Sequence, residues 1–160
     1  MMFSCGYDRV SLSPRPLRAR QHVMTPEQVN LITQSFDRWP IRLDFAAKFY
    51  NRFFETTPDA RRLFPDDMER LHLKLMDTIA AIVGALNNDT LCRSIISQTA
   101  RQHKRIGVTS SQLAAFGDAL IWTLQQQIGN AFTPALKEAW IALYKEVQTE
   151  MINTANIQVS

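Results

Sequence analysis

The chain has 160 residues, 46% of them hydrophobic and 21% charged, with a net charge of +3. That is enough chain for one domain with a real core, and no apolar run is long enough to span a bilayer. Charge location argues against a nucleic-acid partner. Residues 1–23 hold four arginines against Asp8, so the remaining 14 basic and 14 acidic residues cancel. No basic face of the kind that phosphate backbones require is left on the body.

Residues 1–23, dotted with Pro14 and Pro16, read as a disordered basic extension without the apolar core of a secretory signal. "MTPEQVNLI" from Met24 reads as an alternative translation start. Cys5 and Cys92 are too few for a disulfide framework or a zinc site and are read as reduced thiols, which points to the cytoplasm.

Helical signals begin at Thr25, an N-cap followed by Pro26 and by Gln28, which completes a capping box. Val29, Ile32 and Phe36 follow at helical spacing, and Pro40 closes this helix, with Trp39 expected to cover the junction. In "IRLDFAAKFYNRFFETTP" the positions Leu43, Ala46, Ala47, Tyr50 and Phe54 predict one buried face. "DARRLFPDD" predicts a short helical corner with Leu63 and Phe64 turned inward.

Asp66 or Asp67 is expected to cap a long helix whose apolar stripe is Met68, Leu71, Leu75, Ile79, Ile82 and Leu86. "NNDT" predicts a turn, and "LCRSIISQTARQHKR" a weaker helix that ends near Gly107. Ser110 or Ser111 is expected to cap the next helix, and Thr133 with Pro134 the last. Trp122 and Trp140 are expected to pack in the core. The sum is an all-α domain of six to eight helices over residues 24–155, with a short tail at 156–160.

His103 is one of only three histidines. On residue grounds it is either a boundary residue of a weak helix or a metal ligand, imidazole being the commonest one. Several segments in register bear on that choice. "FYNRFF", "PDARRLF", "KLM" at 74–76, "RQHKRIGV", "FGDALIWTL" and "FTPALKEAW" together make the chain from Met24 to about Asn153 resemble a bacterial single-domain globin, of the kind related to the haem domain of flavohaemoglobins.

The resemblance implies a globin fold around haem b, with His103 as the iron ligand and Tyr50 as a donor in the distal pocket. Phe64 would pack on the porphyrin. Leu71 would face the bound gas where relatives usually carry glutamine or histidine. Lys74 would approach a propionate from the mouth of the slot, and Leu75, Val108, Leu113 and Phe116 would complete the apolar wall. A one-residue slip in register would make His72 a sixth ligand instead.

The implied activity is binding of dioxygen or another diatomic gas. Nitric oxide dioxygenation or other haem redox chemistry with a separate reductase, and gas or redox sensing, are the alternatives. Flavohaemoglobins carry a proximal-side tyrosine whose position falls on Leu113 here, which puts their redox network in doubt for this chain.

Overall fold

The computed structural model describes residues 24–38 and 42–157. The basic extension with Cys5, the Trp39–Pro40 junction, the side chain of Leu43 and the last three residues of the tail lie outside them. Six α-helices follow in order: α1 (Pro26–Asp37), α2 (Arg42–Thr56), α3 (Glu69–Gly84), α4 (Asp89–Arg105), α5 (Ser110–Ile128) and α6 (Pro134–Ala155). Short 3-10 turns at Pro58–Leu63 and Gly129–Ala131 form corners, and no strand occurs among the described residues. None of the helices is long and apolar enough to cross a membrane among those residues.

The capping box at α1 is formed as expected. The Gln28 amide N–H donates to the Thr25 hydroxyl (3.2 Å), and the Thr25 N–H donates to the Gln28 side chain (3.0 Å). Thr133 and Pro134 open α6 as expected.

Three other helix starts differ from the sequence reading. The cap of α5 is Thr109, one residue before the expected serines, and it forms a second capping box with Gln112. Asp67 accepts from the Glu69 N–H (3.1 Å), yet the N-cap position itself is Met68, because the chain is already helical there. The turn expected at "NNDT" lies earlier, over residues 85–87, and shares only Asn87 with it: Asn88 caps α4 by accepting from the Leu91 N–H (3.1 Å), and Asp89 and Thr90 are already helical.

α2 lies between α5 and α3 and so buries two adjacent rows. Phe45, Phe49 and Phe53 form one row at steps of four, and Ala46 and Tyr50 the next. The expected stripe holds only in part, since Ala47 and Phe54 are half-buried. Trp140 is buried in the core, whereas Trp122 stands out from α5 with Arg52 over its ring (4.8 Å). Trp122 was expected in the core; the Arg52 guanidinium covers its indole instead, a cation–π contact available at the surface.

α5 crosses closely over α6 at Gly117, where a Cβ would overlap the Tyr144 ring. Tyr144 is held there, its hydroxyl donating to the Leu113 carbonyl. Gly117→Ala is therefore expected to cost about 1–3 kcal/mol, the usual range for overpacking, measured from the urea midpoint. Unchanged stability would mean that the Tyr144 ring moves aside freely.

Candidate functional site

α2, α3, α4, α5 and α6 enclose a cavity of about 370 Å³, within the range of about 300–1,000 Å³ typical of small-molecule and cofactor sites. Its walls are mostly aliphatic and aromatic. Tyr50, Phe64, Leu71, Lys74, Leu75, His103, Val108, Leu113 and Phe116 all line it. The residues singled out from the sequence thus meet in one place, from four helices and two corners. His72 is the exception: it is half-buried and outside the wall.

His103 enters from the last turn of α4. Its Nδ1 lies 2.8 Å from the Thr99 carbonyl oxygen, one helical turn back. A carbonyl can only accept, so Nδ1 carries a proton and Nε2 is the nitrogen left for another partner. That is the tautomer a metal needs. Among the described residues no cluster of three or more histidines, cysteines or carboxylates exists, so a metal here would have His103 as its protein ligand within a larger cofactor.

The backbone beyond His103 turns sharply. Gly107 has φ of 75°, a left-handed conformation that glycine adopts without steric cost. The chain then enters the Thr109 cap, and Val108 is set against the cavity.

Tyr50 is buried among rings. Phe49 meets it edge-on (5.1 Å), Phe64 edge-on (5.7 Å), Phe54 stacked (5.9 Å) and His72 stacked (5.5 Å, 19° between planes). No described residue hydrogen-bonds its hydroxyl. Burial pushes its pKa up to about 12, so the phenol keeps its proton. At the opposite edge Lys74 Nζ donates to the Gln102 side chain (3.1 Å), joining α3 to α4. Lys74 is exposed, and its reach toward an anion at the mouth remains open to it.

Of the wall residues not singled out as site residues from the sequence, three bear on the site's geometry. Gln112 is buried, accepts from the Thr109 N–H (3.1 Å) and donates to Asp59 (3.4 Å). It therefore ties the loop after His103 to the corner that carries Phe64. The signal was present as Thr-x-x-Gln, once Thr109 is taken as the cap. Tyr144 belongs to a stripe with Trp140, Val147 and Met151 at steps of four and three, and its pKa is raised by burial and by the charge of Asp118. Thr99 acts through its backbone, which no side-chain pattern reveals.

An all-α enclosure of an apolar slot, with one free imidazole nitrogen on its wall, defines a cofactor-pocket protein of the helical class. The globin family model matches residues 47–151, and the chain belongs to the globin family. It is 28% identical to neuroglobin of Chaenocephalus aceratus over 117 residues, covering 64% of this chain and 73% of the relative. Neuroglobin of Danio rerio is 27% identical over the same shares. The fold is similar to a solved hexacoordinated heme protein from an anhydrobiotic tardigrade, with a TM-score of 0.75 at 16% identity, covering 83% of this chain and 96% of that one.

The Tyr50 phenol makes stability depend on alkaline pH. In the unfolded chain it ionises near 10, and in the folded chain only near 12. The unfolded state releases its proton first, so stability falls as pH rises through that window, by up to about 3 kcal/mol from this group. Tyr50→Phe is expected to flatten that part of the fall in urea midpoints between the two pH limits. A parallel decline in both proteins would place the phenol in contact with water.

Proposed function

We propose that the chain is a haem b protein that binds dioxygen or another diatomic gas, with His103 as the iron ligand and Tyr50 as the hydrogen-bond donor to the gas. The observation that carries this reading is the Nδ1 contact of His103 with the Thr99 carbonyl, which frees Nε2 beside an apolar slot. The residues fit the group: one neutral imidazole, a mostly aliphatic and aromatic wall, and a cation at the rim. Phe64, Leu71, Leu75, Val108, Leu113 and Phe116 would hold the ring by apolar contact, and Lys74 would serve a propionate. When bound, the haem supplies an iron that takes a small gas reversibly.

The chain's own residues set the character of that binding. Leu71 lines the cavity and offers neither a proton nor a lone pair, so it excludes water without competing for the metal. Tyr50 is a phenol that stays protonated and has no protein acceptor, which leaves its proton for a polar ligand. His103 leans on a neutral backbone carbonyl rather than a carboxylate, so no anion behind the ring pushes charge toward a bound metal. Modest donation suits reversible binding better than oxygen activation.

The affiliation with bacterial, flavohaemoglobin-related globins is part of this proposal. It is supported by Tyr50 within "FYNRFF" and by the "RQHKRIGV" segment. The reading of both cysteines as reduced thiols supports a cytoplasmic setting, and the half-buried Cys92 is unbridged.

Two substitutions test the assignment. His103→Ala is expected to leave a folded helical protein, by circular dichroism, that no longer shows the imidazole-ligated ferrous spectrum and loses haem readily to a scavenger. Retention of that spectrum would remove His103 from the metal. Tyr50→Phe is expected to speed oxygen release by about two- to tenfold, the loss of one ordinary hydrogen bond. An unchanged rate by flash photolysis or stopped flow would take Tyr50 out of the pocket chemistry.

A further inference from the structure

Four rings surround Tyr50, and they differ in origin. Phe49 and Phe54 belong to α2 itself, as the neighbour on one side and the residue one turn on. Phe64 comes from the corner after the Pro58–Leu63 turn. His72 comes from α3, the helix that also brings Leu71 and Leu75 to the cavity. Its imidazole lies nearly parallel to the phenol, 19° apart and 5.5 Å between centroids. It lines no part of the cavity.

Two physical facts make this contact consequential. The torsion that spins a phenol about its Cβ–Cγ bond is soft; the oxygen stays on that axis, but the O–H bond lies in the ring plane, so the neighbouring rings that set the plane decide which way the proton points. The Tyr50 hydroxyl has no hydrogen bond to any described residue, so no polar anchor fixes it either. Ring packing alone orients this donor. A hydrogen bond weakens steeply as its angle departs from linearity, so freedom in the ring becomes loss of donor strength.

We propose that His72 is a positioning residue for Tyr50: stacked on the phenol from α3, it fixes the direction in which the hydroxyl is presented to the cavity and so sets the preference of the site for a polar diatomic gas over a less polar one. This rests on the assignment of Tyr50 as the donor to bound gas. His72 is not a ligand in this arrangement, since it lines no part of the cavity while Leu71, its neighbour on α3, does. It also couples the helix that shapes the slot to the group that donates into it. A shift of α3 moves the wall and the donor together.

The test uses the haem-loaded full chain and five proteins: the parent, His72→Ala, His72→Phe, Tyr50→Phe and the His72→Ala/Tyr50→Phe double variant. Oxygen and carbon monoxide release rates are measured on each, with the C–O stretching band of the carbon monoxide complex. His72→Ala is expected to raise oxygen release about two- to tenfold, leaving carbon monoxide release within about twofold. The C–O band should move toward its position in Tyr50→Phe. His72→Phe, which keeps an aromatic face, should restore the parent values, and His72→Ala should add nothing in the Tyr50→Phe background.

A residue that only supports the fold would alter both gases alike and would do so with or without the phenol, which would overturn the proposal. So would parent-like oxygen release and C–O band in His72→Ala while Tyr50→Phe shows its effect; in that case the gas-binding reading stands and only the positioning role falls. A six-coordinate ferrous parent that becomes five-coordinate in His72→Ala would make His72 a ligand and overturn the proposal as well. A silent Tyr50→Phe would remove both readings at once.

Discussion

The site depends on a backbone carbonyl that can only accept. Thr99 lies one turn before His103 on α4, and its oxygen holds Nδ1 at 2.8 Å, which settles both the tautomer and the rotation of the ring. The carbonyl of His103 itself closes the helix end, accepting from Ile106 (3.2 Å) and Val108 (3.4 Å). Gly107 then reverses the chain in a conformation that a β-branched residue would resist. The next stop is the Thr109 capping box, whose Gln112 reaches across to Asp59. Histidine, helix end, cap and opposite corner form one continuous set of local hydrogen bonds. Each link is ordinary, and together they leave one lone pair pointed at an apolar slot.

The slot has a division of polarity that follows from burial costs. A buried hydroxyl without a partner costs about 1–3 kcal/mol, so stable folds avoid it. Thr123 shows the usual solution: it is fully buried, and its hydroxyl donates to the Ala119 carbonyl at 2.7 Å. Tyr144 does the same with the Leu113 carbonyl. Tyr50 does not: its ring is buried and its hydroxyl makes no hydrogen bond, yet that hydroxyl is not sealed in the core as the unpartnered Thr57 hydroxyl is, and Tyr50 lines the cavity.

Helix identity was legible in the sequence because it follows from periodicity and local caps; the wall residues named there came from a family resemblance carried by motifs in register. Thr25 with Gln28 and Thr133 with Pro134 are local signals that nothing distant can override. What stayed hidden was set by neighbours in space. A single apolar stripe is what one packing partner produces, but α2 has partners on two sides, so Phe45, Phe49 and Phe53 are buried as well. Trp122 looks like core by type and position, and only the placement of Arg52 shows why it sits at the surface. At α5 three hydroxyl residues compete for one cap, and Gln112 decides for Thr109. Thr99 was beyond reach altogether, because its contribution is a carbonyl that every residue has.

The position of Leu113 shows how the arrangement bears on chemistry. On the resemblance to flavohaemoglobins, that position would carry a tyrosine near the iron-binding histidine. Here the phenol near that point is Tyr144, which arrives from α6 and spends its proton on the Leu113 backbone, under the ring of Phe116 (6.2 Å, 17°). It is committed to holding α5 against α6, and Gly117 is the space that lets it do so. His103 is thereby left with a neutral carbonyl as its partner, and a ligand hydrogen-bonded to a neutral group pushes less electron density toward a metal than one paired with an anion. On the proposed assignment of His103 to an iron, that neutral partner, supplied from within α4, favours holding a gas over activating it.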